Sequence, residues 1–184
     1  MDFFYFKNIT IMSYINRFEG RWSFLSNFYP CKIEHKGINY PSVEHYYVAL
    51  KVTGMQFIDG VYYTAPDLRE LIAKIREASD VKKLGKRVKV RSDWEEKKLE
   101  FMNWGLREKF KNPDLSEKLL STENLELIES NYWHDNYWGS CSCPKCGNKG
   151  ENHLGKILMK IREEIKQQNS RPSLEEEIKN KLKK

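Results

Sequence analysis

The stretch Tyr40-Pro41-Ser42-Val43-Glu44-His45-Tyr46-Tyr47-Val48-Ala49-Leu50-Lys51 constrains this chain more than any other. A turn-forming proline, a capping serine and a carboxylate in the first turn open a helix there. Lys51 follows Glu44 by seven residues. That is close to two turns at ~3.6 residues each, so the two side chains lie roughly on one face, on the order of 10 Å apart. Such a face holds an anion near a cation over a bound molecule. The positive end of the helix dipole favours the ionised form of a first-turn carboxylate. A charged, positioned carboxylate is the raw material of glycoside chemistry.

Turn and cap signals place the remaining elements around this helix. Cys31–His35 and Ile38–Tyr40 flank Lys36-Gly37 as a hairpin. Phe24–Pro30 reads as an aromatic loop. Helices are expected from Pro66 to about Ala78, from a cap at Asp80 to the basic run, and from Ser92 or Asp93 onward. In the last of these Leu99, Met102, Leu106 and Phe110 recur at three- and four-residue spacing. Asn112-Pro113 opens a further helix through Leu120. Leu125–Glu129 alternates like a strand, and a loop of about 20 residues follows, longer than most connections in a compact domain. The final core helix begins near Asn152 and carries Leu154, Ile157, Leu158, Ile161 and Ile165. These elements give an α+β class, mainly helical with a small sheet.

The chain has 184 residues, enough for one domain with a real core. At 40% hydrophobic and 32% charged residues it is globular and not disordered. Its expected organisation is an N-terminal extension over 1–13, a domain over 14–168 and a charged helical tail over 169–184. Met12 is an alternative start. No run approaches the ~20 apolar residues of a membrane span, and the apolar opening has neither a basic leader nor a small-residue cleavage pattern. Cys31 stands alone and Cys141, Cys143 and Cys146 stand together. Neither forms a disulfide pattern, and a reducing cytoplasm is the expected location.

Net charge is +6. Lys82, Lys83, Lys86, Arg87, Lys89 and Arg91 fall in a ten-residue run free of acids. This is either a solvated face or a phosphate-binding patch. There is no glycine-rich phosphate loop, no His-Glu-x-x-His helix and no Gly-x-Ser-x-Gly elbow, which argues against ordinary ATPase, dehydrogenase and serine-hydrolase readings. What remains are polar-aromatic islands between helices. Taken singly, each has a structural explanation: Trp94 as core, Asn152 as a helix cap, Tyr137-Trp138-Gly139 as a packed corner.

Taken together the islands resemble the NADAR, or YbiA-like, N-glycosidase family. The resemblance covers Phe18 to Arg162. It rests on Phe-Leu-Ser-Asn-Phe-Tyr-Pro, Tyr-Pro-Ser-Val-Glu-His-Tyr-Tyr, Ala49 with Lys51, Gly85-Lys86-Arg87, Arg91 with Asp93-Trp94, Lys109-Phe110 with Asn112-Pro113, Asp135 with Tyr137-Trp138-Gly139, and Gly150-x-Asn152-x-Leu154-Gly155 followed by Leu158-Met159 and Arg162. It implies a compact α+β domain that cuts N-glycosidic bonds of ribosyl compounds. The implied substrates are ADP-ribose on guanine, free or in DNA or RNA, or phosphorylated ribosylamino-pyrimidine intermediates of riboflavin synthesis.

The resemblance implies that Glu44 faces the anomeric carbon and that Asp135 is a second acid, either a general acid or the partner of a sugar hydroxyl. Lys51 either binds phosphate or attacks the opened sugar as an amine. Trp94 and Trp138 would stack on the base, and Arg87 and Arg91 would grip phosphate. Ser26, Asn27, His45, Gly139 and Asn152 would contact ribose or base. The expectation is that catalysis needs no cofactor. Cys141, Cys143 and Cys146, with His134 or His153, offer four ligands for a structural zinc, or else remain free thiols. Two other classes stand beside the enzyme: a module that binds ADP-ribose, NAD or nucleic acid without cutting it, and a basic nucleic-acid-binding protein.

Overall fold

Ser42 sits in an extended conformation and accepts a hydrogen bond from the His45 backbone N–H, so α1 (Val43–Lys51) starts where a cap supplies its first orphan donor. Val43 to Leu50 are all buried, and α1 forms the centre of the molecule. Packed against it are α2 (Ala65–Lys74), α3 (Ala78–Leu84) and α4 (Trp94–Lys109). The computed structural model describes residues 13–170. Met12 and nearly all of the expected N-terminal extension and C-terminal tail lie outside the described residues.

The helix expected from Pro66 to about Ala78 ends early. Ile75 turns extended, and its carbonyl lies 2.9 Å from His45 Nε2. The chain re-enters helix at Ala78 with Glu77, not Asp80, at the cap. Asp80 instead stands in the first turn and pairs with Lys83 at 2.8 Å. In α4 the buried positions include Met102, Leu106 and, beyond its end, Phe110, whereas Leu99 faces solvent. Asn112 caps α5 (Pro113–Leu120) through its side chain. Both α4 and α5 pack on the closing helix, α6 (His153–Asn169).

Strands are short and come in pairs. β2 (Ile33–His35) and β3 (Ile38–Tyr40) form the expected hairpin, its turn residues Lys36 and Gly37 both at positive φ. A second hairpin, β4 (Gln56–Ile58) with β5 (Val61–Tyr63), turns through Asp59 and Gly60, again at positive φ. β1 (Tyr14–Ile15) pairs in parallel with β6 (Glu126–Leu127), all that is regular in the expected strand over Leu125–Glu129. The long loop after it is not structureless, because β7 (Ser130–Asn131) and β8 (Ser140–Cys141) pair in parallel within it. The architecture is α+β with helices dominant. No helix among the described residues is long and apolar enough to cross a membrane.

Candidate active site

A cavity of about 330 Å³ lies between α1, the turn after the 3-10 segment Gly20–Leu25, the residues following α3 and the β6–β8 region. That volume suits a nucleoside-sized ligand. Among the residues singled out from sequence, Ser26, Asn27, Glu44, Lys51, Asp135 and Trp138 line it. The two charges of α1 thus meet one space, as their spacing predicts.

Glu44 is 8% exposed. Burial raises its pKa above the ordinary carboxylate range; Lys82 and Lys51 oppose that rise and Asp135 adds to it. Desolvation therefore overrides the helix-dipole effect expected from sequence. Burial also lowers the Lys51 pKa, with Glu44 opposing and Lys82 assisting. The Lys51 ammonium sits 5.6 Å from the Tyr47 ring centroid and 5.4 Å from that of Trp94. Tyr47 in turn packs edge-on against Trp138, with ring centroids 5.6 Å apart. The aromatic wall thus excludes water from the acid and the amine and strengthens their mutual field.

Asp135 is held by its main chain. The Asn131 side chain donates to Asp135 O at 2.7 Å and accepts from Asp135 N at 3.1 Å, while Asp135 Oδ1 accepts from Trp138 N at 2.9 Å. Two buried polar atoms at this cavity have no partner among the described residues: Asn27 Oδ1 and Glu129 Oε2. Natural folds rarely leave such atoms unsatisfied. A bound polar molecule would supply the missing partners.

The other expected contacts lie elsewhere. His45 is 2% exposed, with Nδ1 2.7 Å from Ser42 Oγ and Nε2 2.9 Å from Ile75 O. A carbonyl only accepts, so Nε2 carries the proton and both ring nitrogens are occupied by the fold. Arg87 pairs with Asp59 at the β4–β5 turn. Arg91 binds Asp93 (Nη2 to Oδ2, 2.7 Å) and faces a separate cavity beside Phe101 and Arg69. Trp94 backs Lys51 from behind, packed on Tyr47 at 4.8 Å. Asn152 is 8% exposed; its Nδ2 donates to Leu127 O at 2.8 Å and its Oδ1 accepts from Glu129 N at 3.1 Å. Gly139 is buried against the Glu129 carbonyl, where a Cβ would collide. None of these six residues lines the cavity.

Sequence reasoning did not single out Tyr47, Glu129, Asn131 or Trp133, which do line it. It placed Lys82 and Lys86 in a basic patch; they belong to the cavity, whereas Arg87 and Arg91 do not. Lys82 lies 5.6 Å from the Phe28 ring and 5.3 Å from that of Trp133, so the mouth combines aromatic faces with cations. Glu129 had a legible signal. In the expected strand over Leu125–Glu129 its two-residue spacing puts it in phase with half-buried Leu125 and buried Leu127.

Beside the cavity, His134, Cys141, Cys143 and Cys146 place their ligand atoms within 4.8 Å of one another. His134 Nδ1 is 3.2 Å from Cys146 Sγ and 3.4 Å from Cys143 Sγ. His153 is not part of the group, since its Nε2 lies 2.7 Å from a Glu151 carboxylate oxygen.

The NADAR domain model matches residues 13–166. An N-glycosidase of Nostoc punctiforme is 36% identical over 142 residues, covering 77% of this chain and 84% of that protein. The N-glycosidase YbiA of Escherichia coli K12 is 34% identical over 143 residues, covering 76% and 79%. A riboflavin biosynthesis protein of Vibrio vulnificus is 35% identical over 147 residues, 78% of this chain but only 36% of the longer protein. The chain spans about a quarter of a similar maize riboflavin biosynthesis protein. The solution structure of Escherichia coli YbiA superimposes with a TM-score of 0.68 at 29% identity, covering 89% of this chain and 92% of that one. With the family model spanning the core and relatives matched over most of their own length, the chain belongs to the NADAR family.

Proposed function

We propose that the protein is an N-glycosidase that hydrolyses the bond between a ribosyl C1′ and a nitrogenous base. The observation that carries this reading is Glu44: a buried carboxylate in an aromatic-walled cavity, with Lys51 and Lys82 as its countercharges. Breaking the C1′–N bond places positive charge on the sugar. An anion already fixed in a dry site stabilises that charge without reorganising solvent. Glu44 then accepts the proton of the water that attacks C1′. Asp135 orients a sugar hydroxyl, and Trp138 offers a face to the base. Lys82 and Lys86 at the mouth neutralise phosphate on the 5′ side as point charges.

The substrate class that fits is a ribosylated base bearing phosphate: ADP-ribose on guanine, free or in nucleic acid, or a phosphorylated ribosylamino-pyrimidine. The matched relatives carry N-glycosidase and riboflavin biosynthesis names, which supports cleavage of an N-glycosidic bond and a substrate related to riboflavin synthesis. The test is base release from ADP-ribosyl-guanosine and from a ribosylamino-pyrimidine phosphate, side by side. Glu44→Gln keeps the shape and removes the charge. It is expected to lower turnover at least a hundredfold with folding unchanged; near wild-type turnover refutes the assignment.

We also propose that His134, Cys141, Cys143 and Cys146 hold a structural zinc ion. A tetrahedral ion with Zn–S of ~2.3 Å and Zn–N of ~2.0 Å sets its ligand atoms between three and four ångströms apart. The His134 Nδ1 to Sγ separations of 3.2, 3.4 and 3.9 Å fit that spacing. When bound, the ion cross-links the loop that carries Asp135. Protein purified without added metal is expected to contain one zinc per chain and to unfold at lower temperature after chelation; metal-free protein of undiminished stability refutes the proposal.

A further inference from the structure

Glu129 is a titratable group at the cavity to which the reading above gives no role. Its position is fixed to an unusual degree. The Asn152 side chain clamps the backbone on both sides of Ile128, bonding Leu127 O and Glu129 N. Ser140 N donates to Glu129 O at 2.9 Å. A Cβ on Gly139 would collide with Glu129 O, one on Gly150 with Gly139 O, and one on Gly155 with Leu127 O. The Gly150-x-Asn152-x-x-Gly155 and Trp138-Gly139 segments therefore serve one purpose: they seat the backbone from Leu127 to Glu129 against the start of α6. The side chain so placed reaches the cavity, and its Oε2 is buried with no partner among the described residues.

We propose that Glu129 is the general acid of the site, donating its carboxyl proton to the departing base as the C1′–N bond breaks. This rests on the N-glycosidase reading. The electron pair of the C1′–N bond goes to the base, which takes the Glu129 proton and leaves neutral. A water oxygen bonds to C1′ and its proton passes to Glu44. Solvent exchange then returns a proton from Glu44 to Glu129, so one water is consumed and both carboxyls are restored. A neutral leaving base matters because an anionic purine or pyrimidine departs slowly.

The surrounding charges support this division of labour. Facing the cavity are Glu44, Tyr47 and Lys51 from α1, and Lys82 and Lys86 from α3 and the turn after it. Glu19 before the 3-10 segment and Asp135 on the loop add two acids, while α4 and α6 present the uncharged Met102 and Leu154. Burial lifts the Glu44 carboxyl, with Lys82 and Lys51 opposing that rise and Asp135 adding to it. Glu129 has Lys82 alone, opposed by Asp135 and Glu19, and burial lifts its carboxyl to about 7. The two carboxyls thus face one cavity and share Lys82 as a countercharge, while Lys51 acts on Glu44.

The experiment measures base release from ADP-ribosyl-guanosine by wild type and E129Q between pH 5.5 and 9. In wild type kcat is expected to fall tenfold per pH unit above about pH 7, as Glu129 loses its proton. E129Q is expected to lose a hundredfold or more in kcat with KM within threefold, and to lose the alkaline limb. E129D, a shorter acid, keeps that limb at reduced kcat. A smaller loss in E129Q, or an alkaline limb that persists in it, overturns the proposal while leaving the N-glycosidase reading intact. Wild type that releases no base from this substrate or from a ribosylamino-pyrimidine phosphate overturns both.

Discussion

Replacing Glu129 with glutamine is expected to stabilise the protein at alkaline pH while disabling it, and the size of the gain follows from the structure. The Glu129 carboxyl is raised from 4.5 in the unfolded chain to about 7 in the fold, first because burial desolvates the anion. Below pH 4.5 folded and unfolded chains both carry the proton, and the group is neutral with respect to folding. As pH rises, the unfolded chain ionises freely in water while the fold keeps the proton, so stability falls until about pH 7 and is constant above it. From 4.5 to about 7, at ~1.36 kcal/mol per pH unit, the loss is about 3 kcal/mol. Glutamine keeps the shape and cannot ionise. At pH 8 E129Q should exceed wild type by up to about 3 kcal/mol, on the order of 6–12 °C in Tm for a chain of this size. At pH 4.5 the two should agree closely. Urea unfolding at both pH values, followed by tryptophan fluorescence, reads the difference directly. An E129Q gain below about 1 kcal/mol at pH 8, or the same gain at both pH values, would refute the buried-acid argument and with it the support for proton donation. A gain in stability at the expense of turnover is the expected mark of a group retained for chemistry.

Other perturbations test the scaffold. Ser42→Ala removes both the α1 cap and the partner of buried His45 Nδ1, and a loss of about 1–3 kcal/mol in urea unfolding is expected. Asn152→Asp keeps the acceptor for Glu129 N but sets a carboxylate oxygen against Leu127 O; a loss of about 2–4 kcal/mol is expected, with reduced kcat at unchanged KM. Lys82→Met withdraws the cation shared by Glu44 and Glu129, so the alkaline limb of the wild-type rate profile should move to higher pH; a limb that stays in place refutes the coupling.

The parts of the fold written in local chemistry were legible. Ser42 and Asn112 cap the helices that their sequences announce, and Lys36-Gly37 makes its hairpin. The Asp59-Gly60 turn carries an equally strong hairpin signal between Gln-Phe-Ile and Val-Tyr-Tyr, and was not read. The parallel pairing of β1 with β6 joins segments distant in sequence, and no local propensity encodes it or the two-residue pairing of β7 with β8. At the site, α1 put Glu44 and Lys51 together as its period demands. The resemblance located His45, Asn152 and Gly139 as special without revealing that each is spent on architecture. Which of two roles a polar residue takes depends on the partner it finds across the fold: Ile75 O for His45, Leu127 O for Asn152. Arg87 and Arg91 likewise found acids, Asp59 and Asp93, before any phosphate.

The central helix has no freedom to travel, because α2, α3 and α4 enclose it and Asn27 O anchors its Glu44 amide at 3.0 Å. Glu44 is therefore an anvil and not a hinge. Any adjustment to guests of different girth falls to the opposite wall, where Trp133 is 61% exposed, and a breeder of altered selectivity should begin at that rim and leave the axis alone.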